Sequence, residues 1–177
     1  MTTTSMVEIG VAGSGRRRTP PRRTWRWGIA VVLALLVVAL LRASGLGTHR
    51  VASDSMEPTL RAGDVVLVDP FSPHWRPYAR GDLVVFHSPE GGLAVKRVVG
   101  VAGDRVEIRD AVLYVDGHPV REPYVDLHAS DALYYGPVVV TPHHLLLMGD
   151  NRPVSLDSRS YGAVSVDRVV GRVLAHS

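Results

Sequence analysis

Leu93-Ala94-Val95-Lys96-Arg97-Val98-Val99 sets a lysine and an arginine inside an aliphatic run. The β-branched residues and the absence of a helical period mark it as a buried or half-buried strand. Alternation places Lys96 on one face with Ala94 and Val98, and Arg97 on the other with Val95 and Val99. Lys96 is the only lysine in the chain; every other basic position is arginine. Arginine stays protonated at any physiological pH, whereas a lysine among apolar neighbours loses its proton more readily because burial disfavours the charged form.

The same texture extends outward from this run. Residues 65–68, 83–87, 94–102, 105–109, 112–115, 138–140, 145–148 and 164–174 are short runs rich in Val, Leu and Ile, separated by Gly, Pro and Asp, and all read as strands. Asp116-Gly117 is a hairpin signal between 112–115 and the segment reaching Val120. No amphipathic helix of three turns and no internal repeat interrupts the pattern. The expected fold is therefore mainly β, with antiparallel sheets forming a partly open barrel or sandwich, preceded by one N-terminal transmembrane helix.

That helix rests on the asymmetry of the first residues. Seven arginines and one acid fall in residues 1–42, net +6; from totals of 20 cations and 17 acids, residues 43–177 keep 13 and 16, net −3. The basic excess is a property of the tail, so nucleic-acid binding by the folded part is not expected. Residues 1–24, rich in Gly, Ser, Thr, Pro and Arg, read as a disordered basic cytoplasmic tail. Residues 27–41 carry no charge and give about 22 Å of helix, short of a ~30 Å hydrocarbon core. Trp25 and Trp27 at one interface, with Arg26 and Arg42 reaching outward, extend the span to 25–43. The arginine cluster then holds the N-terminus in the cytoplasm and sends a β-rich domain, 44–177, across the membrane. A cleaved secretory or twin-arginine signal is the alternative. It is disfavoured because Arg42 adjoins the small residues Ala43, Ser44 and Gly45 without a clear small-x-small site.

The chemistry gathers in polar stretches. Ser55, in Ser53-Asp54-Ser55-Met56-Glu57-Pro58-Thr59-Leu60, precedes a proline that disfavours helix at Glu57, so an extended or turning segment with an exposed hydroxyl is expected. A serine hydroxyl beside a neutral lysine is a nucleophile with its base. Residues 149–159, Gly-Asp-Asn-Arg-Pro-Val-Ser-Leu-Asp-Ser-Arg, follow an apolar strand. There Ser155 is placed to orient Lys96, and Asp150, Asp157, Arg97, Arg152 and Arg159 to form ion pairs that pin the loop. Arg80-Gly81-Asp82 reads as a turn at a strand entry. The eight histidines show no metal-ligand spacing, and with no cysteine in the chain there is no thiolate or disulfide; no metal or cofactor is expected. The loop of Phe71, Pro73, Trp75, Pro77 and Tyr78 suggests a lip facing membrane lipid.

These residues resemble the bacterial type I signal peptidases, or leader peptidases, of the serine–lysine protease class. Ser55 to Leu60 is similar to the family's serine motif, Arg80 to Phe86 to its following strand motif, Lys96 to Gly100 with Gly103 and Asp104 to its lysine motif, and Gly149 to Arg159 with Gly162 to its last. The resemblance implies Ser55 as nucleophile, Lys96 as general base and Ser155 as the hydroxyl that positions Lys96. It also implies an oxyanion hole from the Ser55 backbone N–H and the Ser53 hydroxyl. Asp54 stands where many members have glycine or another small residue, and Pro153 and Val154 replace a more polar pair.

The resemblance further implies a single-pass enzyme of the cytoplasmic membrane that cleaves signal peptides from secretory preproteins with small residues at −1 and −3. Membrane lipid and the protein-export machinery would be its neighbours. A dedicated maturation protease of the same family, or a catalytically silent anchored β-domain that binds partners, are the rival expectations.

Overall fold

The computed structural model describes residues 27–36, 47–71, 75–126 and 134–176. The expected tail, 1–24, and residues 25–26 and 37–43 of the expected span, 25–43, lie outside them. Within the span, residues 27–36 form a helix, α1, whose apolar side chains, such as Val32 and Leu35, are exposed. Among the described residues no helix is long and apolar enough to cross a membrane. The chain divides into two compact units, Met1–Leu40 and Leu41–Ser177, each described by itself.

The second unit is built on antiparallel strands, as the alternation requires: β1 Gly47–Arg50, β2 Val65–Asp69, β3 Leu83–His87, β4 Leu93–Gly100, β5 Arg105–Arg109, β6 Val112–Val115, β7 His118–Pro119, β8 Tyr135–Val139, β9 His144–Met148, β10 Val164–Ser165 and β11 Val169–His176. One sheet runs in the order β1-β2-β11-β3-β4-β9-β10 and the other β7-β6-β5-β8. The expected hairpin is present: Val115 pairs with His118 across Asp116 and Gly117, both at positive φ.

Two expectations change. The run 164–174 is two strands, because Val166–Arg168 forms a 3-10 turn in which the Ser165 hydroxyl accepts from the Asp167 N–H. β1 escaped the reading because Gly47-Thr48-His49-Arg50 has no apolar alternation. It is a largely exposed edge strand, held by backbone pairing to β2.

Three apolar clusters hold the sheets. Val99, Val106, Ile108, Leu113, Val115, Val140, Leu146 and Met148 join the smaller sheet to the end of β4 and to β9. Met56 and Leu60 seat the serine segment on β2, β3 and β4 through Val66, Val85 and Val95. Val84, Phe86, Val98, Leu145 and Leu147 fill the core on the face that Lys96 shares.

β11 crosses between β2 and β3 with a register shift at each partner. The strand is crowded at Gly171, where an added Cβ would lie 2.5 Å from the Asp69 carbonyl oxygen and 2.8 Å from a Val68 methyl. Backbone cannot withdraw as a flexible side chain can, so Gly171→Ala is expected to destabilise the domain by about 1–3 kcal/mol. Chemical denaturation with the Gly47→Ala variant as a control, where nothing lies within 4 Å, measures it.

Candidate active site

Lys96 pairs with Val84 on β3, and Arg97 with Met148 on β9. The β9 pairing ends there, so the chain leaves the sheet at Gly149, beside the lysine. Met56 and Leu60, both fully buried, draw the preceding serine segment onto the same region of the sheet. Two loops distant in sequence therefore converge over one strand.

Ser55 lies in a 3-10 turn, Asp54–Met56, closed by the Glu57 N–H donating to the Asp54 carbonyl. Of the extended or turning segment expected, the turn is what forms, and the exposure expected is corrected: Ser55 is only 8 % exposed, with the Asn151 N–H of the 149–152 turn donating to its carbonyl. Its Oγ is 2.5 Å from Lys96 Nζ, in a buried hydrogen bond, and Lys96 itself is 4 % exposed. Burial pulls the Lys96 ammonium down to about 8, against Asp157 and Asp150, which favour the charge, while Arg159 works with burial. A hydroxyl thus faces an amine that is substantially neutral in mildly alkaline water.

The Ser53 hydroxyl donates to Ser55 Oγ at 3.2 Å. Asp54 turns away from the pair: its Oδ1 accepts from the Ala62 N–H, and its carbonyl accepts from Asn151 Nδ2. A groove of about 600 Å³ opens over Ser53, Ser55 and Lys96, with Ala94, Val154 and Leu156 on its apolar side and Glu57 and Glu90 on its rim.

The ion pairs are as the residue types suggested. Arg97 grips Asp150 with two parallel bonds, Nε to Oδ1 at 2.8 Å and NH2 to Oδ2 at 2.6 Å, and donates through NH1 to the Gly81 carbonyl. Thr59 donates to the same Asp150 carboxylate at 2.5 Å, which joins the serine segment to the pair. Asp157 caps the one-turn helix α2, Ser158–Tyr161, and takes Arg159 Nε at 2.8 Å and the Gly149 N–H at 3.0 Å. Burial opposes the Asp157 charge, but Arg159 and the Gly149 N–H outweigh it and hold the carboxyl below its ordinary value.

Ser155 is brought to this cluster without bonding to Lys96. Its Oγ is buried and, among the described residues, within no ordinary hydrogen-bond geometry of a partner, although it lies near enough to Asp157 to favour that charge. It stands against Gly149 together with the Ser55 carbonyl, and a Cβ at 149 would overlap both. Three contributors were not legible beforehand: Thr59, Glu122 and Tyr124. Glu122 accepts from Arg152 NH2 at 2.6 Å, and the Tyr124 ring covers the Arg97 guanidinium at 3.8 Å. The only signal was that Glu122-Pro123-Tyr124 is a polar, proline-stiffened segment just beyond a hairpin. Among the described residues, no group of three or more His, Asp or Glu side chains could hold a metal ion.

A serine hydroxyl against a buried amine, closed in by paired charges on an antiparallel β frame, is an arrangement able to supply a nucleophile and its base. The chain belongs to the family described as signal peptidase, peptidase S26, which matches residues 24–176. It is 36 % identical over 163 residues to signal peptidase I of Bacillus caldolyticus, covering 85 % of this chain and 87 % of that protein. Signal peptidase IB of Staphylococcus aureus is 31 % identical over 163 residues, covering 83 % and 85 %. The crystal structure of a signal peptidase I from Enterococcus faecalis V583 superposes with a TM-score of 0.50 at 30 % identity, covering 56 % of this chain and 98 % of that one. The chain is a peptidase of this family.

The lowered Lys96 value carries a stability consequence. Below about 8 the amine is charged in both the folded and the unfolded chain, and the full burial penalty applies. Between about 8 and the ordinary 10.5 the unfolded chain binds the extra proton, so stability rises with pH, and the penalty is gone above 10.5. Lys96→Met is therefore expected to be the more stable protein near neutrality, by up to roughly 3 kcal/mol. The gap should close at alkaline pH. Urea unfolding of both proteins at neutral and alkaline pH measures the closure.

Proposed function

We propose that this chain is a membrane-anchored serine endopeptidase that removes signal peptides from exported preproteins, with Ser55 as nucleophile and Lys96 as general base. The observation that carries the reading is the buried 2.5 Å contact of Ser55 Oγ with Lys96 Nζ, in a family of signal peptidases. Neutral Lys96 accepts the Ser55 proton as Oγ attacks the scissile carbonyl, and the resulting ammonium returns a proton to the leaving amine. In the second half Lys96 takes a proton from water as the water oxygen attacks the acyl carbonyl, and the ammonium returns that proton to Ser55 Oγ as the ester bond breaks. The Ser55 backbone N–H and the Ser53 hydroxyl are the proposed donors to the oxyanion. An oxyanion forms next to Oγ, and a hydroxyl 3.2 Å from Oγ reaches it by a rotation about χ1.

Ser155 is the proposed lysine-orienting hydroxyl: it is buried, and its Oγ stands with the Ser55 carbonyl against Gly149. Asp150, Asp157, Arg97 and Arg159 support the site by fixing the loops around it. Substrates are secretory preproteins with small residues at −1 and −3, a preference that suits a groove walled by Ala94, Val154 and Leu156. Residues 1–24 are the cytoplasmic tail, 25–43 a single-pass anchor and 44–177 the extracytoplasmic catalytic domain in this reading. The uncharged helix at 27–36 and the arginines before it support that order. The exposed Phe71 and Trp75 offer a contact with membrane lipid, and the export machinery is the natural source of substrate.

Lys96→Arg is the chemical control, since it keeps the charge and removes the neutral form. Cleavage of a generic preprotein should fall by several orders of magnitude for Lys96→Arg and for Ser55→Ala, with both proteins folded. The wild-type kcat/KM should rise with pH and level off above about 8, because the active form is the deprotonated amine whose value burial has lowered. A folded Lys96→Arg protein cleaving at the wild-type rate would end the proposal.

The topology is tested separately. Protease added to intact spheroplasts should digest the C-terminal domain. A protected domain would reverse the orientation, and a released, N-terminally shortened form would show a cleaved signal instead of an anchor.

A further inference from the structure

Beyond the proposed dyad, a buried ion pair lies outside the serine and lysine segments and takes no part in the chemistry above. Glu122 and Arg152 meet at 2.6 Å with side chains 3 % and 1 % exposed. Arg152 Nε donates to the Gly149 carbonyl at 3.1 Å. Two residues beyond Glu122, the Tyr124 ring lies on the face of the Arg97 guanidinium, and its hydroxyl donates to Glu122 Oε1 at 3.2 Å. Burial, reinforced by the Glu122 charge, pushes the Tyr124 phenol up to about 12, so it remains a donor. The segment thus holds two of the guanidiniums that grip the 149–152 turn, Arg152 by its edge and Arg97 by its face; the third, Arg159, donates to the Arg152 carbonyl.

That turn is bonded directly to the serine segment. The Asn151 N–H donates to the Ser55 carbonyl at 3.1 Å, and Asn151 Nδ2 to the Asp54 carbonyl at 3.1 Å. Asp150 holds Thr59. Any shift of residues 149–152 therefore moves Ser55 against Lys96. Stability alone does not explain the pair: among the described residues Arg152 NH1 is buried with no hydrogen-bond partner, and well-packed apolar side chains commonly serve as well as a buried ion pair.

The geometry points to Glu122 as a positioning residue. Through Arg152 and Tyr124 it fixes the 149–152 turn, and with it the seat of Ser55 and the dryness around the Lys96 amine. This rests on the reading of Ser55 and Lys96 as the reacting pair. Glu122 touches neither, and acts on the rate only through the turn.

The test compares Glu122→Ala, Glu122→Gln and Tyr124→Phe in the full chain, in detergent, cleaving a preprotein across neutral to alkaline pH. Glu122→Ala should lower kcat roughly 10- to 100-fold, as a misplaced nucleophile does, with little change in KM. The midpoint of its pH–rate profile should move upward, because a loosened turn admits water and returns Lys96 toward the ordinary lysine value. Glu122→Gln keeps an acceptor for Arg152 and should recover kcat to within about 3-fold of wild type, with the wild-type midpoint. A folded Glu122→Ala protein with wild-type kcat and midpoint overturns the assignment, as does a loss confined to KM. If Glu122→Ala does not fold, Tyr124→Phe decides: an upward midpoint supports the role and an unchanged one refutes it. Ser55→Ala and Lys96→Ala run alongside; full activity in either means that the dyad, not the positioning residue, is wrong.

Discussion

The two parallel bonds from Arg97 to Asp150 are the interaction on which the site's geometry depends. Arg97 is one residue from Lys96 on β4, Asp150 is two residues beyond Met148, where the β9 pairing ends, and Thr59 brings the serine segment to the same carboxylate. Three pieces of chain far apart in sequence are thereby tied to one planar group. A guanidinium cannot release its proton, so this tie holds at any pH at which the neighbouring amine titrates. Losing one partner of such a buried pair costs about 3–5 kcal/mol, since the other charge is left without compensation. The fork geometry also sets direction as well as distance, which a single ammonium in the same place would not do.

The second constraint is the absence of a side chain at Gly149. The residue lies where the Ser55 carbonyl, the Ser155 hydroxyl and the Asp157 carboxylate converge, and any Cβ would displace the first two. Close approach of two loops is what permits Ser55 to be buried while keeping its Oγ on a groove. The same closeness removes water from Lys96, so the packing of the loops and the lowered basicity of the amine share one cause.

Much of this was legible in the sequence, and the reasons are specific. β3, β4, β5, β6 and β9 announced themselves because their aliphatic residues alternate or run continuously, as burial demands. Ser55, Lys96 and the charged residues of 149–159 were visible as short polar stretches set against apolar strands. β1 was not, since its pairing is carried by backbone groups that have no side-chain signature. The burial of Ser55 was not, since it comes from a loop nearly a hundred positions away. Glu122 and Tyr124 were missed for the same reason: nothing near them in sequence shows that Arg152 and Arg97 are their partners.

Lys96 and Arg97 illustrate how adjacent cations on one strand divide two tasks. Alternation sends them to opposite faces, and both faces are buried. On the Arg97 face a carboxylate, a carbonyl and an aromatic ring meet the cation, so the charge is kept. On the Lys96 face the nearest polar partner is a hydroxyl, and the nearby carboxylates Asp150 and Asp157 are already occupied by Arg97 and Arg159. Their pull on the ammonium is therefore offset, in part by Arg159 itself, and desolvation prevails. Were either arginine removed, the freed carboxylate would favour the charged lysine and raise its pKa, opposing formation of the proposed base. The arginines thus serve the amine by neutralising the acids around it, and a chain that uses arginine at every other basic position has its one lysine where the proposed mechanism calls for a neutral form.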